Sequence, residues 1–237
     1  MEGTDKAAAK EASIKAFDQK AKEFDANPML LDINSAASKA LKAEVLQPHM
    51  DVLDFGCGTG LLALGIADSV ASVLGVDNSS GMIEALQAKV DAKGPRFNVR
   101  AACVDLVDPS SLHAANDVAN PYPEKFDVVA STMTFHHIEN ITDMLVLLAH
   151  HLKPGGKLAV FDFAKSEDSH RFHAPSHAHT VHHHGGFTPE DFCKYFRDAG
   201  LEDVSCHEVH RFKKAAGDDK SVILEFGLLL AVGTRKQ

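Results

Sequence analysis

Val52-Leu53-Asp54-Phe55-Gly56-Cys57-Gly58-Thr59-Gly60 is the stretch on which the fold turns. Residues with strand character run directly into three glycines, each separated from the next by one residue. Glycine loses more conformational freedom on folding than any other residue, so three in five positions mark a place where something must approach the backbone closely. The question is what that something is.

Outward from this loop the chain alternates. "MDVLDF", "ASVLGVD", "RFNVRAACVD", "KFDVVAST" and "GKLAVFDF" are short runs rich in Val, Leu and Phe. Between several of them lie segments of helical period, "TGLLALGIAD", "SGMIEALQAKVDA" and "NITDMLVLLAHHL". Strands alternating with helices predict βαβ units and a parallel sheet buried on both faces. The polar, proline-bearing stretch from Pro109 to Lys125 predicts a loop or a short helix. "TPEDFCKYFRDAG" predicts a further helix, with Thr188 as N-cap, Pro189 in the first turn and Gly200 just past the end. Two last strand candidates, "EDVSCHEVHRF" and "SVILEFGLLLAVG", are joined by the polar turn "KKAAGDDK", which predicts an antiparallel hairpin.

Upstream, Ile14, Phe17, Ala21 and Phe24 recur at helical spacing. Pro28 disfavours helix at Asn27, so a second helix is expected from Ser35 to about Leu46. The expected organisation is an N-terminal helical cap over 1–48, then an α/β domain over 49–237 with a histidine-rich insertion at 165–187.

Composition bounds the partners. The formal net charge of −9 disfavours a nucleic-acid backbone or an anionic membrane surface, both of which need clustered Lys and Arg. No run approaches the roughly 18 apolar residues of a membrane span. Cys57, Cys103, Cys193 and Cys206 lack CxxC spacing, which suits reduced thiols. The acidic, alanine-rich start "MEGTDKAAAKEAS" has neither an apolar core segment nor an arginine-rich face. The chain reads as cytoplasmic; no oligomeric state follows from it.

In a doubly wound sheet, ligands lie beyond the carboxyl ends of the strands. A dinucleotide fingerprint, GxGxxG, would put its third glycine at position 61, where Leu61 stands, and no lysine follows in P-loop position. The pattern present is (D/E)xGxGxG from Asp54 to Gly60. Asp77 closes the second strand candidate, Asp105 closes the third in "AACVDLVD", "FDVVASTMTFHHIEN" follows, and "LKPGGKLAVFDF" turns into the fifth. With the trailing helix and hairpin, this succession resembles the class I, seven-stranded S-adenosylmethionine-dependent methyltransferases, small-molecule type, from about Met50 to the C-terminus. The resemblance implies a doubly wound, mostly parallel seven-stranded α/β sheet with a C-terminal antiparallel hairpin, in the order 3-2-1-4-5-7-6.

It also implies a cofactor, S-adenosylmethionine, and residues around it. Gly56, Gly58 and Gly60 would lie against its methionine portion, with Cys57 a packing position between them. Asp54 would serve the ammonium group or, alternatively, cap the loop amides. Asp77 would take both ribose hydroxyls, an acceptor-only group facing two donors. Asp105 would accept from the adenine amino group while Leu106 lends its backbone amide. Asn78, Met82 and Thr132 complete the expected set.

Methyl transfer from a sulfonium is a direct displacement that needs alignment and exclusion of water, and a base where the acceptor carries a proton. Thr134, His136 and His137 are the catalytic candidates; either histidine could instead cap a helix or hold a loop. No (D/N/S)PPY stands at the fourth strand, so a nucleic-acid substrate is not expected. The partner expected is a small molecule accepting on oxygen, nitrogen, sulfur or carbon. Alternatives are a protein lysine or terminal amine, and a silent cofactor-binding subunit.

His170, His173, His177, His179, His182, His183 and His184 fall in the insertion. A lid lining the acceptor pocket is the favoured use. A metal site and a pH-sensitive lid compete with it, and no metal ligand is assigned. "HHHGGF" is the expected hinge of that lid. Phe17, Phe24, Met29 and Leu30 are expected on the pocket's other wall or in the core, on a segment that is mobile before cofactor binds.

Overall fold

The apolar runs pair as β1 (Asp51–Phe55), β2 (Ser72–Asp77), β3 (Val99–Cys103), β4 (Phe126–Thr132), β5 (Leu152–Phe163), β6 (Glu202–Ala215) and β7 (Ile223–Thr234). They form one sheet in the order β3-β2-β1-β4-β5-β7-β6. The first five are mutually parallel, and β7 runs antiparallel to both β5 and β6. This is the expected order and hairpin. The structure, a computed structural model, describes residues 14, 21, 23–114, 122–174 and 181–237. Phe17, His177 and His179 lie outside the described residues.

Successive strand residues point to opposite faces, and each face buries its own core. Val52, Val73, Val128 and Phe161 join one cluster with Ile33, Ala37, Leu41 and Leu62. Their neighbours Leu53, Leu74, Val129 and Val160 join the other with Leu145, Leu148, Phe192 and Phe196. The helices supplying these residues are α1 (Pro28–Glu44), α2 (Leu61–Ile66), α5 (Ile141–His150) and α6 (Pro189–Asp198); α3 (Ser80–Lys93) and α4 (Ser111–Ala114) complete the described set. Burial on both sides is why the strands read as continuous apolar runs.

Local chemistry sets the ends. Thr188 and Asp191 form a reciprocal capping box at the start of α6. Ser79 accepts from the amide of Met82 at 3.2 Å at the start of α3. The helix expected at Ser35 begins instead at Pro28. Asn27 is extended (φ −80°, ψ 111°) and accepts from the Met29 amide at 3.1 Å. The restriction that proline places on its predecessor is thereby met by a capping residue, and Pro28 opens the helix rather than interrupting it.

β5 also starts earlier than expected, at Leu152, and takes in Pro154-Gly155-Gly156. Its pairing with β4 jumps from Phe126↔Leu152 to Val128↔Lys157, a bulge that absorbs the turn. β3 stops at Cys103, so Asp105 lies two residues beyond the strand instead of closing it.

Candidate active site

The glycine loop is held by its neighbours at the carboxyl end of the sheet. Gly56 and Cys57 donate their amides to the Val76 carbonyl at 2.9 and 3.0 Å, and Gly60 donates to the Cys57 carbonyl at 2.8 Å. Gly56, Gly58 and Gly60 have φ of +67°, +53° and +81°, a region L-residues rarely adopt. Two of them are also crowded: a Cβ at Gly56 would stand 2.4 Å from Thr134 Oγ1, and one at Gly60 would stand 2.3 Å from Leu86 Cδ1. A Cβ at Gly58 would meet nothing nearer than Phe24 at 3.7 Å. The outer two glycines are therefore built into the protein, while the middle one leaves space.

The carboxylates organise this loop. Asp77 ends β2, and its oxygens accept from the Gly58 and Ser79 amides, each at 2.9 Å. Asp54 is buried in β1 and accepts from the Ala63 amide at 3.1 Å. Burial raises its carboxyl to about 8, against the lowering effect of that amide and with a further push from Asp77. Cys57 is buried with its sulfur packed where a Cβ at Gly75 would stand, and burial holds its thiol well above the usual range. Cys57, expected among the cofactor-lining residues, turns its sulfur into this packing. Asp105 and Asn78 are exposed, whereas Leu106 and Met82 are buried. Thr132 ends β4, and its hydroxyl is buried with no partner among the described residues.

The segment preceding α1 is docked over the loop. Thr59 Oγ1 donates to Asp25 at 2.6 Å, and Lys89 Nζ donates to the other Asp25 oxygen at 2.6 Å. Phe24 stands over Gly58, and Met29 packs against the core. Asp25 carried no motif and escaped the sequence reading; its partners sit 34 and 64 residues away.

A second group of side chains gathers at the ends of β4 and β5. Met133 has φ +57°, unusual for a non-glycine residue and a mark of strain at this corner. Thr134 half-covers the site beside Gly56, and a short 3-10 turn, Phe135–His137, follows. His136 is buried, its Nδ1 2.8 Å from Asp162 Oδ1, while its amide donates to Asp162 Oδ2 at 3.0 Å. The His136 ring lies 4.1 Å from that of His137 and 5.0 Å from that of His173. Phe163 and Phe172 stack at 4.2 Å beside them. Burial, with His136 and His137 nearby, lowers His173 to about 2, so this imidazole is neutral at neutral pH.

The histidine-rich segment closes onto this corner at its far end. The amides of His182 and His183 donate to the His136 carbonyl at 2.9 and 3.0 Å, and the His183 ring lies 3.0 Å from the Ile138 carbonyl. His170 and His182 are exposed. Gly186 (φ +67°) could carry no Cβ without meeting the Phe163 ring at 2.8 Å, so close packing explains it where a hinge was expected. Among the described residues no group of three or more His, Cys, Asp or Glu could hold a metal ion. Nor is any described helix long and apolar enough to cross a membrane.

A family model described as a methyltransferase domain matches residues 29–206. The chain belongs to that family. It is 32% identical over 162 residues to an uncharacterized methyltransferase of Schizosaccharomyces pombe, covering 65% of this chain and 54% of the relative. It is 29% identical over 126 residues to a ubiquinone biosynthesis O-methyltransferase of Coxiella burnetii, covering 53% and 49%. The chain thus spans about half the length of the curated relatives it matches. Among solved structures, phosphoethanolamine N-methyltransferase 2 of Haemonchus contortus, in complex with S-adenosyl-L-methionine, superposes with a TM-score of 0.61 at 16% identity, covering 86% of this chain and 53% of that one. The class I methyltransferase fold is common to all of them.

The structure gathers expected residues into two clusters. Asp54, Gly56, Gly58, Gly60 and Asp77 form the first, with Met82 beneath; Thr134, His136 and His137 form the second. Asp162 and Gly75 belong to them and were missed. An acid in the otherwise apolar "LAVFDF" was the available signal for Asp162, since a carboxylate is seldom buried without partners.

Proposed function

We propose that this protein transfers a methyl group from S-adenosylmethionine to a hydroxyl on a small-molecule acceptor. The observation carrying the cofactor half is the ledge at Gly58, left-handed and without a crowding neighbour where its Cβ would stand, with Asp77 fastened beside it. Asp77, held by the Gly58 and Ser79 amides, is an acceptor-only carboxylate of the kind that suits two ribose hydroxyls. Asp54 lies behind the ledge for the ammonium group, Asp105 and Leu106 edge the adenine, and Asn78, Met82 and the unpartnered Thr132 hydroxyl complete the surround. The cofactor supplies an electrophilic methyl on a sulfonium that leaves as a neutral thioether.

The chain's own residues do the rest. Phe24, Asp25 and Thr59 cover the ledge and exclude water. The 181–187 segment, docked on the His136 turn, walls the acceptor side. The buried His173 imidazole is neutral and offers this corner no charge to pair a cationic amine, and the O-methyltransferase relatives support an oxygen acceptor. Calorimetry with S-adenosylhomocysteine tests the cofactor half, and a metabolite extract screened for mass gains of one methylene tests the acceptor half. No heat with S-adenosylhomocysteine removes the first, and gains confined to proteins remove the second.

A further inference from the structure

We infer that Asp162 is a positioning residue which locks His136 as its Nδ1–H tautomer, leaving Nε2 as the acceptor of the substrate's proton. The inference rests on the methyl-transfer reading above and selects one histidine of the pair.

Geometry makes the assignment. Asp162 ends β5 fully buried. Its Oδ2 accepts the His136 amide at 3.0 Å, and its Oδ1 accepts the Phe163 amide at 2.8 Å. Both oxygens also lie within reach of His136 Nδ1, at 2.8 and 3.1 Å. Both oxygens already accept backbone amides, so the carboxyl presents acceptors to the ring and Nδ1 is the donor. The remaining ring nitrogen, Nε2, is then the one with a lone pair. One contact fixes backbone, ring plane and tautomer together, so the ring does not have to reorganise during reaction.

The surroundings suit a base. The His137 ring lies tilted at 44° beside His136 on the same turn, and His173 faces His136 from the segment after β5. Lys214 and His184 lie beyond His173, and Phe163 and Phe172 close the apolar side. Among these groups Asp162 is the carboxylate in contact with the ring, and it stabilises the imidazolium once formed. The step balances: the acceptor O–H bond breaks, its electron pair stays on oxygen to bond the incoming methyl, and the proton forms N–H at Nε2 before passing to water. His137 is half-buried on the same turn and forms the neighbouring wall.

Nitrogen-15 NMR of the full chain with S-adenosylhomocysteine bound reads the tautomer directly. The expected wild-type spectrum has a protonated Nδ1 and an unprotonated Nε2 for His136, and Asp162→Asn shifts that signature toward Nε2–H. Protocatechuate serves as the phenolic probe for turnover. Asp162→Asn is expected to lower kcat about 100-fold near pH 7 with KM little changed, the range general-base catalysis supplies. The deficit should shrink below about 5-fold near pH 10, where a phenol ionises unaided. An Nε2–H wild-type ring, an unchanged tautomer in the variant, or an equal loss at both pH values overturns the inference. Failure of the wild type to bind S-adenosylhomocysteine or to methylate the probe counts instead against the methyl-transfer reading, since the tautomer spectrum is read independently.

Discussion

The two ends of this site are built differently. At β1 and β2 the cofactor ledge is a matter of backbone: three glycines, their amides, and carboxylates one or two residues from a strand end. At β4 and β5 the acceptor corner is a matter of side chains meeting from distant parts of the chain, with His136 and Asp162 26 residues apart and His173 beyond them. The first needs particular dihedral angles and leaves no room for a Cβ at Gly56 or Gly60. The second needs packing that creates a dry, apolar wall around a few polar atoms. Backbone constraints are local and therefore written in consecutive residues, whereas the corner exists only once both strands are paired.

The sharpest way to break the first half of that contrast is Gly60→Ala. Left-handed strain and the clash with buried Leu86 together should cost about 2–4 kcal/mol, read by urea denaturation. Gly58→Ala meets no close atom, so strain alone should cost about 1–2 kcal/mol; equal losses for the two would remove crowding as the reason for Gly60.

Asp77→Ala comes next. Losing the acceptor of the Gly58 and Ser79 amides should weaken S-adenosylhomocysteine binding by about 1–3 kcal/mol in calorimetry. Unchanged affinity would show that the ribose lies elsewhere. The two ends touch at Gly56 and Thr134, which makes their independence testable. Gly56→Ala should be partly rescued by Thr134→Ala, with a coupling of about 0.5–2 kcal/mol in a double-mutant cycle.

Smaller effects separate the ends by pH. His173 and His151 are lowered by burial to about 2 and about 4, from 6.5. The unfolded chain binds protons first as pH falls, so the stability these neutral rings contribute is complete above about 6.5 and is lost down to about pH 4 for His151 and about pH 2 for His173. His173→Phe should flatten that acid slope in denaturation series at pH 4 to 6.5. Asp54 behaves oppositely, being raised to about 8 and largely protonated at neutral pH. An ammonium group arriving beside it favours the carboxylate, so cofactor binding should release a fraction of a proton near pH 7 and tighten as pH rises toward 8. Calorimetry in buffers of different ionisation enthalpy measures that release, and none would move the ammonium away from Asp54.

The periodic runs, the glycine spacing and the acids near strand ends determined the strands, the parallel sheet and the ledge, because hydrophobic period and left-handed turns are properties of neighbouring residues, while the strand order came with the family resemblance. Tertiary structure alone decided that Asn27 would cap a helix opened by Pro28, that Asp25 would reach Thr59 and Lys89, and that Asp162 would pair with His136. Each of those contacts joins polar atoms whose value depends on the burial and register supplied by other strands, and no local pattern carries that information.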